Sequence, residues 1–150
     1  MSRREKLALL VRALDEALAD LDRYAQEVPF ERFVSDRDAY RMVCHALYVA
    51  AQATLDIAEV LLTDRRLGPA ATYREAIDLL ATDGVLEPGL AREIGGWVGL
   101  RNVLAHVYTR LDLERLHDAC ATGLDPLRSF REIAAAEIER PEPPERDQEG

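Results

Sequence analysis

The sequence predicts an all-α protein. Three observations carry that expectation. Ala, Leu, Glu and Arg are abundant while aromatic residues make up only 6% of the chain, a mix that favours helices over strands. Apolar residues recur at three- and four-residue spacing over long segments. No stretch of convincing length alternates apolar and polar residues as a half-buried strand does. At 150 residues the chain is one domain with material for a single core.

About five helices are expected from the periodicity. The first runs from about Arg4 to Gln26, where Leu7, Leu10, Val11, Leu14, Leu18 and Leu21 form one stripe between charged residues. Pro29 ends it. Ser35-Asp36 then offers an N-cap for a second helix, from about Arg37 to Leu62. That helix is apolar nearly all round, which suits the centre of a bundle or an oligomer interface. Thr63 to Pro69 reads as a loop. Thr72-Tyr73-Arg74-Glu75 is a capping box that starts a short third helix, ending near Asp83-Gly84. Pro88 opens a fourth. Gly95, Gly96 and Gly99 lie inside it, and each costs about 1 kcal/mol relative to alanine, which points to close helix contact. A fifth helix runs from about Leu113 to Glu139, kinked or interrupted at Pro126 just after Gly123. A helical domain is thus expected over 1–140, with the acidic, proline-rich segment 141–150 as a disordered tail.

The net charge is −9, and the last ten residues hold four acids and one base, so the remainder stands at −6. Such a chain is poorly suited to broad, sequence-independent binding of nucleic acid. No DNA partner is expected, and any RNA contact must come from a focused group of arginines. No continuous apolar run approaches the roughly 20 residues of a membrane helix, and the first residues lack a secretory pattern. No membrane partner is expected. Cys44 and Cys120 lie in apolar helical contexts and read as small core residues in a reducing cytoplasm. No paired Cys/His or carboxylate spacing suggests a metal, so neither metal nor cofactor is expected.

The densest chemistry lies in Arg101-Asn102-Val103-Leu104-Ala105-His106-Val107-Tyr108. An arginine neutralises a phosphate through a planar fork of donors. A histidine moves protons near neutral pH. On an ideal helix Arg101 and His106 point about 140° apart, so one chain spreads them over a broad surface. A two-fold contact would bring two copies around one phosphate. Asn102 precedes His106 by one turn and can hydrogen-bond it. By spacing alone the ordinary reading is the commoner one: a packed histidine, an arginine paired with an acid and a tyrosine with its hydroxyl at the rim. Asp56, in the apolar second helix, is either a paired structural carboxylate or a group that orients Arg101 or His106. Trp97 reads as a core or dimer anchor, with base stacking as the alternative. His45 and His117 read as rim residues, and Tyr40 and Tyr48 carry no assigned role. Arg65, Arg66, Arg110 and Arg115 are solvated by default, with RNA phosphate as the alternative partner.

The pattern R-x4-H-x-Y resembles the signature of the HepT-like toxins, a branch of the HEPN ribonucleases. The similarity extends through Ala46-Leu47, Gln52 to Ala58, Tyr73 to Leu80, Asp83 to Leu86 and Val98 to Tyr108, and covers roughly Ser35 to Leu116. The resemblance implies a HEPN-type helical bundle forming a two-fold homodimer, with the motifs facing a shared cleft. It implies metal-independent cleavage of RNA, leaving a 2′,3′-cyclic phosphate. Arg101 and His106 would be catalytic, Asn102 and Asp56 supporting, and Tyr108 an RNA contact and AMP acceptor. The implied partner is a minimal nucleotidyltransferase antitoxin that transfers AMP to that tyrosine. Two other readings remain: a non-catalytic module that binds such a transferase, and a plain helical interaction protein.

Overall fold

The computed structural model describes residues 1–105 and 112–141, which form seven α-helices and no strand. The first, α1 (Arg3–Glu27), starts at a capping box. Ser2 Oγ accepts the Glu5 N–H at 3.2 Å and the Glu5 carboxylate accepts the Ser2 N–H at 3.4 Å. Leu7, Val11, Leu14, Leu18 and Leu21 of the expected stripe are buried. Pro29 does more than end α1. It is the N-cap of a short helix, α2 (Phe30–Ser35), which buries Phe33. Six residues are too few for a period to show in the sequence, so this helix was not expected.

The central helix is α3 (Arg37–Asp64), capped by the Asp36 carboxylate, which accepts the N–H groups of Asp38 and Ala39. It packs against all six other helices. By length and mean hydropathy α3 could cross a bilayer, but here its apolar surface is the middle of the core. Next comes α4 (Tyr73–Thr82). Thr72 Oγ1 accepts the Glu75 N–H at 3.1 Å, as the capping box predicts, yet the Glu75 carboxylate takes the Ala71 N–H at 2.8 Å. Only half of the box forms. Gly84, at φ +80°, turns the chain beyond α4 in a conformation that favours glycine. Pro88 sits in the first turn of α5 (Pro88–Leu104).

The expected fifth helix is two: α6 (Leu113–Thr122), capped by Asp112, and α7 (Asp125–Glu139). Gly123 closes α6 at a point where a Cβ would lie 3.0 Å from the Ala119 carbonyl oxygen. Pro126 then opens α7, where its missing N–H has no helical partner to lose. The split accounts for one of the two additional helices, and α2 for the other.

One end of the bundle is tied by charge. Arg3 Nη1 and Nη2 donate to the carbonyl oxygens of Glu137 and Arg140 at 2.8 and 2.9 Å. Its Nε lies 3.0 Å from Asp64 Oδ1 but off the hydrogen-bonding direction. Arg65 joins Asp83, at 3.1 Å, to the buried Glu137. Burial alone would lower the Arg65 pKa, but the two carboxylates outweigh it and hold the pKa above its ordinary value. Arg65 is therefore a structural tie between α3, α4 and α7, not the solvated loop charge the sequence suggests. The three glycines of α5 also differ from expectation. Among the described residues, a Cβ on Gly95 would meet only the Arg74 guanidinium, at 3.4 Å, and Gly96 and Gly99 have nothing within 4 Å. Among the described residues of a single chain no helix backbone presses on them. The proposed tail lies outside the described residues from 142 onward.

Candidate functional site

Arg101 projects from the last turn of α5 and is half-buried. Its Nε donates to Gln52 Oε1 at 2.8 Å, and Nη1 donates to Asn102 Oδ1 at 3.2 Å. The guanidinium carbon stands 5.4 Å from the centroid of the Tyr73 ring, in range of a cation–π contact. Gln52 is itself held. Its Nε2 donates to Asp56 Oδ1 at 2.8 Å and to the Tyr73 hydroxyl at 3.3 Å. The amide can satisfy all these contacts in one orientation only, with oxygen toward Arg101 and nitrogen toward Asp56 and Tyr73.

Three helices build this arrangement. Gln52 and Asp56 are four residues apart on one face of α3, Tyr73 opens α4, and Arg101 closes α5. Asp56 does not touch Arg101. Its hydrogen bond reaches the arginine through Gln52. Asn102 is exposed and bonded to Arg101, whereas the sequence offered it as a partner for His106. His106 and Tyr108 lie outside the described residues, and α5 is described only to Leu104, with Ala105 as its C-cap.

Two members of the network were not singled out from the sequence. Gln52 carried a signal, since it and Asp56 are polar residues at i,i+4 spacing in the most apolar stretch of the helix, between Ala46 and Ala58. Tyr73 carried none, because only the packing of α4 on α3 and α5 brings its ring to Arg101. Other residues have plain structural uses. Trp97 is buried in the core. His117 lies between Phe30 and Phe33, with ring centroids 5.5 and 5.6 Å away, and its Nε2 is 2.9 Å from the Val28 carbonyl oxygen. Cys44 and Cys120 are buried free thiols, and burial pushes both pKa values up to about 11. Among the described residues no group of three or more His, Cys, Asp or Glu side chains is placed to hold a metal ion. A groove of about 580 Å³ between the start of α1 and the end of α3 shares only Asp56 with the Arg101 network.

Fold and site together define an all-helical bundle that braces one arginine at the end of a motif helix, just ahead of a histidine in the sequence. The Ribonuclease HepT-like family matches residues 14–134, so the chain belongs to the HepT-like ribonuclease family. Among its relatives, a protein of Archaeoglobus fulgidus is 31% identical over 112 residues, spanning 73% of this chain and 83% of that protein. The mRNA nuclease HepT of Shewanella oneidensis is 28% identical over 86 residues, 57% of this chain and 65% of that one. The fold matches the tri-AMPylated HEPN toxin of Shewanella oneidensis, solved in complex with an MNT antitoxin. The TM-score is 0.80 at 20% identity, over 91% of this chain and 99% of that chain.

Proposed function

We propose that this chain is a metal-independent endoribonuclease toxin that cuts RNA with Arg101 and His106. The observation that carries the reading is the bracing of Arg101 by Gln52, Asn102 and the Tyr73 ring. An arginine that only capped a helix or paired with a surface acid would need no such frame. Among the described residues its contacts use Nε and one hydrogen of Nη1, which leaves the outer edge of the guanidinium for a phosphate.

In the proposed reaction the ribose 2′-oxygen attacks the adjacent phosphorus. A P–O2′ bond forms and the P–O5′ bond breaks, giving a 2′,3′-cyclic phosphate and a 5′-hydroxyl. A general base takes the 2′-hydroxyl proton, and a general acid delivers a proton to the leaving 5′-oxygen. His106 fills one of these roles, and in a homodimer the two copies divide them. Arg101 stabilises the charge that builds on the non-bridging oxygens. Asn102 and Asp56 support Arg101, the first directly and the second through Gln52. Tyr108 contacts RNA and accepts AMP from a minimal nucleotidyltransferase antitoxin. The added phosphate then repels and obstructs the RNA backbone.

The test is expression of the chain alone, followed by assay of the purified protein on RNA. Arg101→Ala and His106→Ala should each abolish cleavage while circular dichroism stays helical, and for His106 the loss should be roughly 10²-fold or more. Cleavage should persist in EDTA. Loss of activity with the chelator would remove the metal-free mechanism. Cleavage surviving in both variants would take the reaction away from Arg101 and His106, and a wild-type chain that never cuts RNA would favour a non-catalytic module that binds the transferase.

A further inference from the structure

A second cavity, of about 330 Å³, opens beside the end of α5. It is lined by Tyr40, Arg41, Cys44, His45 and Tyr48 from α3 and by Leu104 and Ala105 from α5. Ala105 immediately precedes His106 in the chain. Arg41, Cys44, His45 and Tyr48 fall at i, i+3, i+4 and i+7, so they share one face of α3. Arg41 and His45 are exposed at the mouth, whereas Tyr40 and Tyr48 are half-buried. The Tyr40 ring is fixed against Phe33, at 5.3 Å between centroids. Arg41 makes no ion pair among the described residues.

The electrostatics set this cavity apart. The chain carries 28 acids and a net charge of −9. Among the described residues, three other cavities each contain carboxylates: Asp56, Glu59 and Asp64 in the first, Asp78 in the second, Asp22 and Asp125 in the third. The residues described around this one include an arginine and a histidine but no acid. A cationic mouth over aromatic walls matches the chemistry of a nucleotide, with an anionic phosphate and a flat base. The volume falls in the range of small-molecule sites, roughly 300–1,000 Å³.

We infer that this cavity holds one nucleotide of single-stranded RNA flanking the scissile bond. The base lies against Tyr48 and Tyr40, and Arg41, with His45, meets its phosphate. The inference rests on the ribonuclease reading for the identity of the strand. The cavity would fix which nucleotide sits next to the cleaved bond, whereas Arg101 acts on the phosphate that is cleaved.

The test uses the full chain carrying His106→Ala, so that RNA survives, with a fluorescent single-stranded 12-mer of mixed sequence as the probe. Anisotropy reads the affinity. Arg41→Glu should weaken binding at least tenfold and make the dependence of log K on log salt shallower by about one. Tyr48→Leu keeps apolar bulk but removes the stacking face, and should cost about tenfold. Arg12→Glu, the same charge change at an exposed position on α1, should leave both readouts near those of the parent. Arg41 is exposed, so its replacement leaves the core intact, and circular dichroism checks this. In the active background, Tyr48→Leu should also redistribute cleavage among sites on a defined RNA. If Arg41→Glu and Tyr48→Leu bind and cut like the parent and the Arg12 control, the nucleotide site is wrong even though the chain cuts RNA. If the wild-type chain binds the 12-mer through these residues but never cuts RNA, the ribonuclease reading fails and the binding site stands.

Discussion

Gln52→Ala is the sharpest perturbation of the network around Arg101. It removes the 2.8 Å bond to Arg101 Nε and releases both Asp56 and the Tyr73 hydroxyl from the amide. A hydrogen bond to a charged group contributes about 1.5–3 kcal/mol. If that energy holds the guanidinium in its working orientation, its loss appears in the barrier, and each 1.4 kcal/mol is about tenfold in rate. The turnover rate should fall roughly 10- to 100-fold, with KM nearly unchanged, because the interaction matters as charge develops and not in ground-state binding. The pH profile should keep its shape, since no titrating catalytic group is altered. Asp56→Ala should cost less, about 3- to 10-fold, because it loosens Gln52 without removing it. The double variant should be no slower than Gln52→Ala alone, since Asp56 acts through Gln52. The assay is initial-rate cleavage of a quenched fluorescent RNA by the four proteins. A wild-type rate for Gln52→Ala, or a double variant slowed by the product of the two single effects, would refute the relay.

Three further outcomes are expected. Tyr108→Phe should remain folded and escape AMP transfer when co-expressed with a cognate nucleotidyltransferase, and intact-mass measurement reads this directly; equal modification of the Phe variant would place the acceptor elsewhere. Glu137→Ala should destabilise the fold by about 2–3 kcal/mol, below the value for a fully buried pair because Arg65 keeps Asp83. A thermal melt should show Tm lowered by roughly 5–10 °C. Stability should fall as pH rises from 9 toward 11. An exposed thiol titrates near 9.0, but folded Cys44 and Cys120 hold their protons to about 11, so in this window the unfolded chain binds fewer protons and is favoured. Replacing both cysteines by alanine should flatten that decline in melts across the range.

The sequence by itself determined the helical class, because apolar periodicity and cap chemistry are local. The starts of α3 and α4 follow from Asp36 and Thr72, whose side chains act on backbone groups two or three residues away. The apolar faces of α3 left two places for it, the centre of the bundle or an oligomer interface, and the fold puts it at the centre. Arg101 was legible as a phosphate-binding candidate from its residue type and its distance to His106. Packing decided the rest. Phe30 to Ser35 gains its place as a helix by burying Phe33, an energy the six residues do not show alone. Arg65 looked like a loop charge until the fold brought Asp83 and Glu137, 18 and 72 residues away in sequence, to its guanidinium. The bracing of Arg101 is of the same kind. Gln52, Tyr73 and Arg101 come from three helices and meet only when the bundle closes. A hydrogen bond between distant residues leaves no period or spacing in the chain, so its existence is a property of the tertiary structure.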